Sequence, residues 1–370
     1  MVSRLEPLLA WLRTGTATAE RLDFPTGTAL PDGRLDLCKS AIGPDGAAQV
    51  AEALRPGVIK HLLLGTDGLG DGAAEVAGQA IEREVETLYL GCNGITSGAA
   101  CRIADSLRMS PQAGTVTGIW LKRNPIAAGD AAAAIVESAR SLRTLDLVQT
   151  DLGAADVERL VAAILTATRA GRPIERLYLG GNPLGPAGAS HLAALLAADA
   201  VTELYVSAAR LGDEGAHTIA DSLKVGRLRR ISLASNGIGP QAAARLVIAA
   251  ARAGVEICDL GRVKAAKVLD AQDNRLDEAA TTAIADALAE RPHRLRHLVL
   301  TNTGLRSRAA HRLLDGAQRA ATPTRFALGK GVAGSITRRL DTLSAEIPQR
   351  PPVPADVAAV RSVHRQPPPV

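Results

Sequence analysis

The apolar positions of this chain fall into a repeating frame. Val85-x-x-Leu88-x-Leu90-x-x-Asn93-x-Ile95 returns as Val116-x-x-Ile119-x-Leu121-x-x-Asn124-x-Ile126, and again from Ile174 to Leu184 and from Leu228 to Ile238. Looser copies begin at Ile59, Leu142, Val201 and Leu295, and a degenerate first copy keeps Leu35, Leu37 and Ile42. From Ile59 to Val255 the starts lie 26, 31, 26, 32, 27, 27 and 27 residues apart. Each copy predicts one strand–helix unit that cannot bury its apolar side alone and must stack on its neighbours. Leu-x-Leu is a short strand with both leucines inward and the residue between them outward. The asparagine position turns the chain out of the strand, and a side chain buried there must hydrogen-bond the backbone. It reads Ser40, Asp67, Asn93, Asn124, Thr150, Asn182, Ala209, Asn236, Asn274 and Thr303, which predicts a local irregularity at Ala209, where no such bond can form. An Ala-rich helix follows, as over residues 98–107, where Ile103 and Leu107 share one stripe while Arg102 and Asp105 face water.

These motifs resemble the leucine-rich repeat, and within it the ribonuclease-inhibitor-like subfamily with its long repeats and full helices. The resemblance covers roughly residues 32–320, in about ten repeats. It implies an α/β solenoid of horseshoe form, with a concave parallel sheet and convex helices. Relatives of this kind serve mainly as interaction surfaces: inhibitors, sensor domains of NOD-like receptors, adaptors. The class also includes GTPase-activating proteins for Ran, so activation of a small GTPase is the alternative reading, with rim residues such as Arg123 or Arg210 as nearest candidates.

A solenoid needs capped ends. Residues 1–31, with Leu5, Leu8, Trp11, Leu12 and Phe24, predict an N-terminal helical cap, and residues 321–347, with Phe326, Leu328, Ile336 and Leu340, a C-terminal one. One repeat departs from the frame: after Val255-x-x-Cys258-x-Leu260 the asparagine is due at residue 263 but stands at Asn274. The extra residues, 261–271, predict a rim loop carrying Arg262, Lys264 and Lys267, packed through Val263, Val268 and Leu269. Residues 348–370 are Pro-rich and core-poor, which predicts disorder.

Composition adds the candidate surface. Of the seven aromatic residues, four occupy the outward strand position, which reads Asp36, Leu63, Tyr89, Trp120, Asp146, Tyr178, Tyr205, Ser232, Asp259 and Val299. A band of exposed aromatics is costly in water and marks an interaction site. The expected protein-binding residues are therefore Tyr89, Trp120, Asp146, Tyr178 and Tyr205, with Arg123, Arg176 and Arg230 at the rim. The net charge of +5 comes without a run of five or six like charges, which argues against nucleic acid. Four dispersed cysteines form no CxxC and predict reduced thiols in a cytoplasmic protein, and no stretch of eighteen apolar residues suggests a membrane span. No metal-binding His pattern, phosphate loop or nucleophile–base pairing stands out in the sequence. The expectation is a non-catalytic recognition or scaffold module, monomeric and without cofactor, that binds a protein partner.

Overall fold

A computed structural model describes residues 4–127 and 130–364. The chain divides into two compact units: Met1–Asp151 with Ala162–Ile174 and Val353–Val370, and Leu152–Val161 with Glu175–Pro352. Up to residue 151 the order is α1 (Glu6–Thr14), β1 (Leu22–Phe24), β2 (Gly27–Ala29), β3 (Arg34–Asp36), α2 (Gly43–Ala53) and β4 (His61–Leu63). Next come α3 (Ala73–Glu82), β5 (Thr87–Tyr89), α4 (Ser97–Met109), β6 (Gly118–Trp120), α5 (Ala131–Ser138) and β7 (Thr144–Asp146). Helix α6 (Ala154–Arg169) follows. The second unit then alternates β8 (Arg176–Tyr178), α7 (Gly185–Ala197), β9 (Glu203–Tyr205), α8 (Gly212–Ser222), β10 (Arg230–Ser232) and α9 (Pro240–Arg252). It continues with β11 (Ile257–Asp259), α10 (Glu278–Glu290), β12 (His297–Val299), α11 (Ser307–Arg319), β13 (Arg325–Ala327) and α12 (Gly334–Leu343). A short helix, α13 (Ala355–Ala359), belongs to the first unit.

In the first unit β1, β2 and β3 form an antiparallel meander, and β3 to β7 pair parallel in sequence order. In the second unit β8 to β13 are all parallel, again in sequence order. The register sets like positions side by side. Leu62, Leu88, Ile119 and Leu145 make one inward row, and Leu177, Leu204, Ile231, Cys258 and Leu298 the other, each fully buried. A leucine so buried contributes roughly 2 kcal/mol relative to exposure.

The helices obey the predicted stripe. In α4 the Thr96 hydroxyl accepts the Ala99 N–H as N-cap, Ala99, Ala100, Ile103, Ala104 and Leu107 are buried, and Arg102 and Asp105 are exposed. At the start of the chain Leu8, Leu9 and Leu12 of α1 are buried, and Trp11 meets Phe24 with ring centroids 5.5 Å apart. Towards the far end Phe326, Leu328, Ile336 and Leu340 are buried.

The asparagines form a ladder. Asn93 Oδ1 accepts the N–H of Asp67, while its Nδ2 donates to the carbonyls of Leu64 and Leu90. Asn124 serves the next repeat alike, accepting from Asn93 and Ile95 and donating to Leu90 and Leu121. In the second unit Asn236 accepts from Ala209 and Leu211, and Asn274 from Asn236 and Ile238. Asn274 also donates to Leu233 and Leu260, so the extra residues lie in the strand-to-turn segment. Ala209 breaks the ladder as expected: the Leu184 N–H turns back to the carbonyl of Asn182 at 2.9 Å. The same local bond, Ile126 N–H to Asn124 O, arises where Thr150 is too short to reach. Ala209 is thus one of two such sites among the described residues.

Candidate functional site

The outward row is real in both units, because register places Leu63, Tyr89, Trp120 and Asp146 side by side on β4 to β7, and Tyr178, Tyr205, Ser232, Asp259 and Val299 on β8 to β12. Exposure separates the two sets.

In the second unit Tyr178 and Tyr205 stack at 4.2 Å with planes 10° apart, and both are half-buried. Arg230 lies over the Tyr205 ring, 5.0 Å from its centroid. The Tyr205 hydroxyl donates to Glu203, and burial, the first cause, together with Tyr178 and Glu203, raises its pKa. Beyond it the Ser232 hydroxyl donates to Asp259 at 3.0 Å and meets Ser207 at 3.0 Å. Arg176 is buried, only 8% exposed, with its guanidinium on Glu175 at 3.0 Å. Two half-open rings, a cation above one of them and a polar chain beside it make a surface with an apolar centre and charged margins.

The first unit is more closed. Tyr89 is half-buried under Lys122, whose ammonium sits 5.1 Å from the ring centroid. Trp120, expected in the exposed band, is only 3% exposed. One reason is local: Gly118 leaves space for the indole to lie along its own strand, and a Cβ there would fall 2.1 Å from Cζ3. Asp146 is buried as well, and its Oδ1 accepts the N–H of Val148 at 2.9 Å. Burial pushes its carboxyl up to about 6. Asp36 with Cys38 and Asp259 with Gly261 repeat this carboxylate-to-second-amide turn, so an outward aspartate on these strands serves the backbone. Arg123 stays exposed on a left-handed backbone, φ 56°, and its Nε donates to Gln149 at 2.7 Å.

The rim loop carries Arg262, Lys264 and Lys267 on the surface, with Arg262 3.3 Å from Asp273. Its anchor differs from the expected one: Ala266 is 1% exposed, whereas Val268 stands 89% exposed. Val263 is tied by its N–H to the Ser235 hydroxyl. Asp270 and Gln272 wall a shallow hollow of about 290 Å³ with Arg210 and Asn236.

Two features carried no sequence signal. A groove of about 890 Å³ opens on the helical side of the second unit, floored by Ala220, Ala244, Ile248 and Ala283, away from the outward row. The other is the seating of the Pro-rich stretch. Residues 348–370 were expected to be disordered, yet 355–359 are helical and the chain up to His364 is held against the first unit. Residues 365–370 lie outside the described residues. No group of three or more His, Cys, Asp or Glu able to hold a metal gathers among the described residues, and no described helix is long and apolar enough to cross a membrane.

Strand–helix units repeating along parallel strands, with buried asparagines bridging successive turns in each unit, define a leucine-rich-repeat-like α/β protein. No family model matches the chain, and no curated protein matches it.

Proposed function

We propose that the protein is a recognition module that binds a protein partner on the outward strand face, in the manner of ribonuclease-inhibitor-like repeats. The observation that carries this reading is the Tyr178–Tyr205 stack with Arg230 over it, half-open on a face whose inward side is already saturated by leucines. Aromatic and arginine side chains with few rotamers to freeze are the usual anchors of protein interfaces. Their neighbours Glu203 and Ser232 supply polar groups at the margin.

The test replaces Tyr205 with a photo-crosslinking aromatic residue and compares captured proteins with those captured from Arg308, an exposed helix position. A protein crosslinked at position 205 and lost in Tyr178→Ala supports the reading. Crosslinks indistinguishable from those at position 308 would defeat it.

A further inference from the structure

Residues 353–364 touch the first unit at two places far apart on its sheet. At β7 the Thr144 hydroxyl donates to the Asp356 carboxylate at 3.1 Å. At β3 the Arg34 guanidinium donates to the Arg361 carbonyl at 2.7 Å, and Asp36 accepts the N–H groups of both Val363 and His364 and the Ser362 hydroxyl. Arg34, Asp36 and Thr144 all point outward, flanking the inward Leu35 and Leu145. Three strands lie between β3 and β7, so the span is four strand spacings, on the order of 19 Å. The helical turn Ala355–Ala359, a turn at Val360 and the residues from Arg361 to His364 join the two contacts, with a side-chain reach at each end. The segment therefore crosses β6, β5 and β4. Burial agrees: Asp36, Leu63, Thr87 and Thr144 face outward yet are fully buried, and Ala359 of the segment is 4% exposed.

The contacts are those of a peptide in a recognition groove. A carboxylate is read by a hydroxyl, a small side chain is buried between the two contacts, a carbonyl is taken by a buried guanidinium, and two successive amides are gathered by one buried carboxylate. Asp36 is 0% exposed with the segment in place, so the segment both covers this carboxylate and supplies the donors that compensate its burial.

We propose that the outward face of the first unit is a peptide-binding site, filled within the chain by residues 353–364, and that a partner's peptide segment enters by displacing them. The partner segment carries an acidic residue, a turn of small residues, and two consecutive non-proline residues to offer their N–H groups to Asp36. The inference rests on the reading of the outward face as a recognition surface. Crosslinking at Tyr205 tests that reading on the other unit, so either can fail alone.

Tethering keeps the chain's own segment at an effective concentration on the order of millimolar. A free copy then binds with its affinity lowered by the fraction of chains left open. The experiment titrates a fluorescent peptide of residues 353–364 into the full chain and into the full chain carrying Val363→Pro with His364→Pro, which removes both amide donors outside the repeat body. The variant should bind the peptide about tenfold or more tightly than wild type, and a peptide with the same two prolines should bind neither. Affinities within threefold of each other, or no binding to either chain, overturn the proposal. Circular dichroism confirms that both chains are folded.

Discussion

Asp67 stands where the following repeats carry asparagine, and an amide exchanged for a carboxyl has a thermodynamic consequence. Its Oδ1 accepts the N–H groups of Ser40 and Ala41 at 2.8 and 3.0 Å, but Oδ2 is buried without a partner. In Asn93 the equivalent atom is an Nδ2 that donates to two carbonyls. Burial pushes the Asp67 carboxyl up to about 6, against the backbone amides that pull it down. An unfolded aspartate titrates near 3.9. Folding therefore favours the protonated form, so this contribution to stability is complete below pH about 4 and is lost as pH rises through 6. Asp67→Asn should stabilise the protein by about 1–2 kcal/mol at pH 7 and by almost nothing at pH 4, read from urea unfolding at both values. Equal stability of the two chains at pH 7 would refute this. Ala209 is the complementary case. Ala209→Asn should restore the ladder in the second unit and add about 1 kcal/mol, because the amide returns both an acceptor and two donors to a turn that now bonds to itself.

Strand β6 shows how an element can override the pattern it obeys. Its outward position is where the repeat frame puts it, but Gly118 two residues earlier lets the Trp120 ring fold down on the strand. Gly118→Ala would push a methyl into the ring, so the indole must swing away. We expect a loss of about 1–3 kcal/mol and a red-shifted tryptophan emission; an unchanged spectrum would show that the ring does not depend on the glycine. The rim loop behaves differently. Its position was legible because the asparagine arrives late at residue 274, and the bonds of Asn274 to Leu233 and Leu260 agree. Its packing was not legible, since either Val268 or Ala266 could have turned inward. Lys264 and Lys267 are exposed, so replacing both with Glu should leave stability within about 0.5 kcal/mol.

For the whole molecule, thiol accessibility offers a compact check. Cys38 and Cys258 are buried, and burial pushes the Cys38 thiol up to about 12 and raises that of Cys258 as well. Cys92 and Cys101 are half-buried. A thiol-exchange reagent at pH 8 should therefore find two reactive cysteines in the native chain and all four after denaturation. Four fast thiols in the native chain would mean that the inward row opens at Cys258.

The repeat frame, the inward leucines, the helix stripes and the outward row were all readable from residue order. Each follows from a short period along the chain, two in a strand and 3.6 in a helix, and stacking copies adds no ambiguity. The asparagine ladder was readable for a related reason: a buried turn demands a side chain that both donates and accepts. What only the tertiary structure decided is which outward residues stay open. Trp120 and Asp146 share their row with Tyr89, yet they are buried. Nothing periodic links Arg34 and Asp36 to residues 361–364, more than 320 positions away. Such a contact is set by where two distant segments meet in space, and a Pro-rich stretch with seven prolines in the last 23 residues gives no local sign of the surface that holds it.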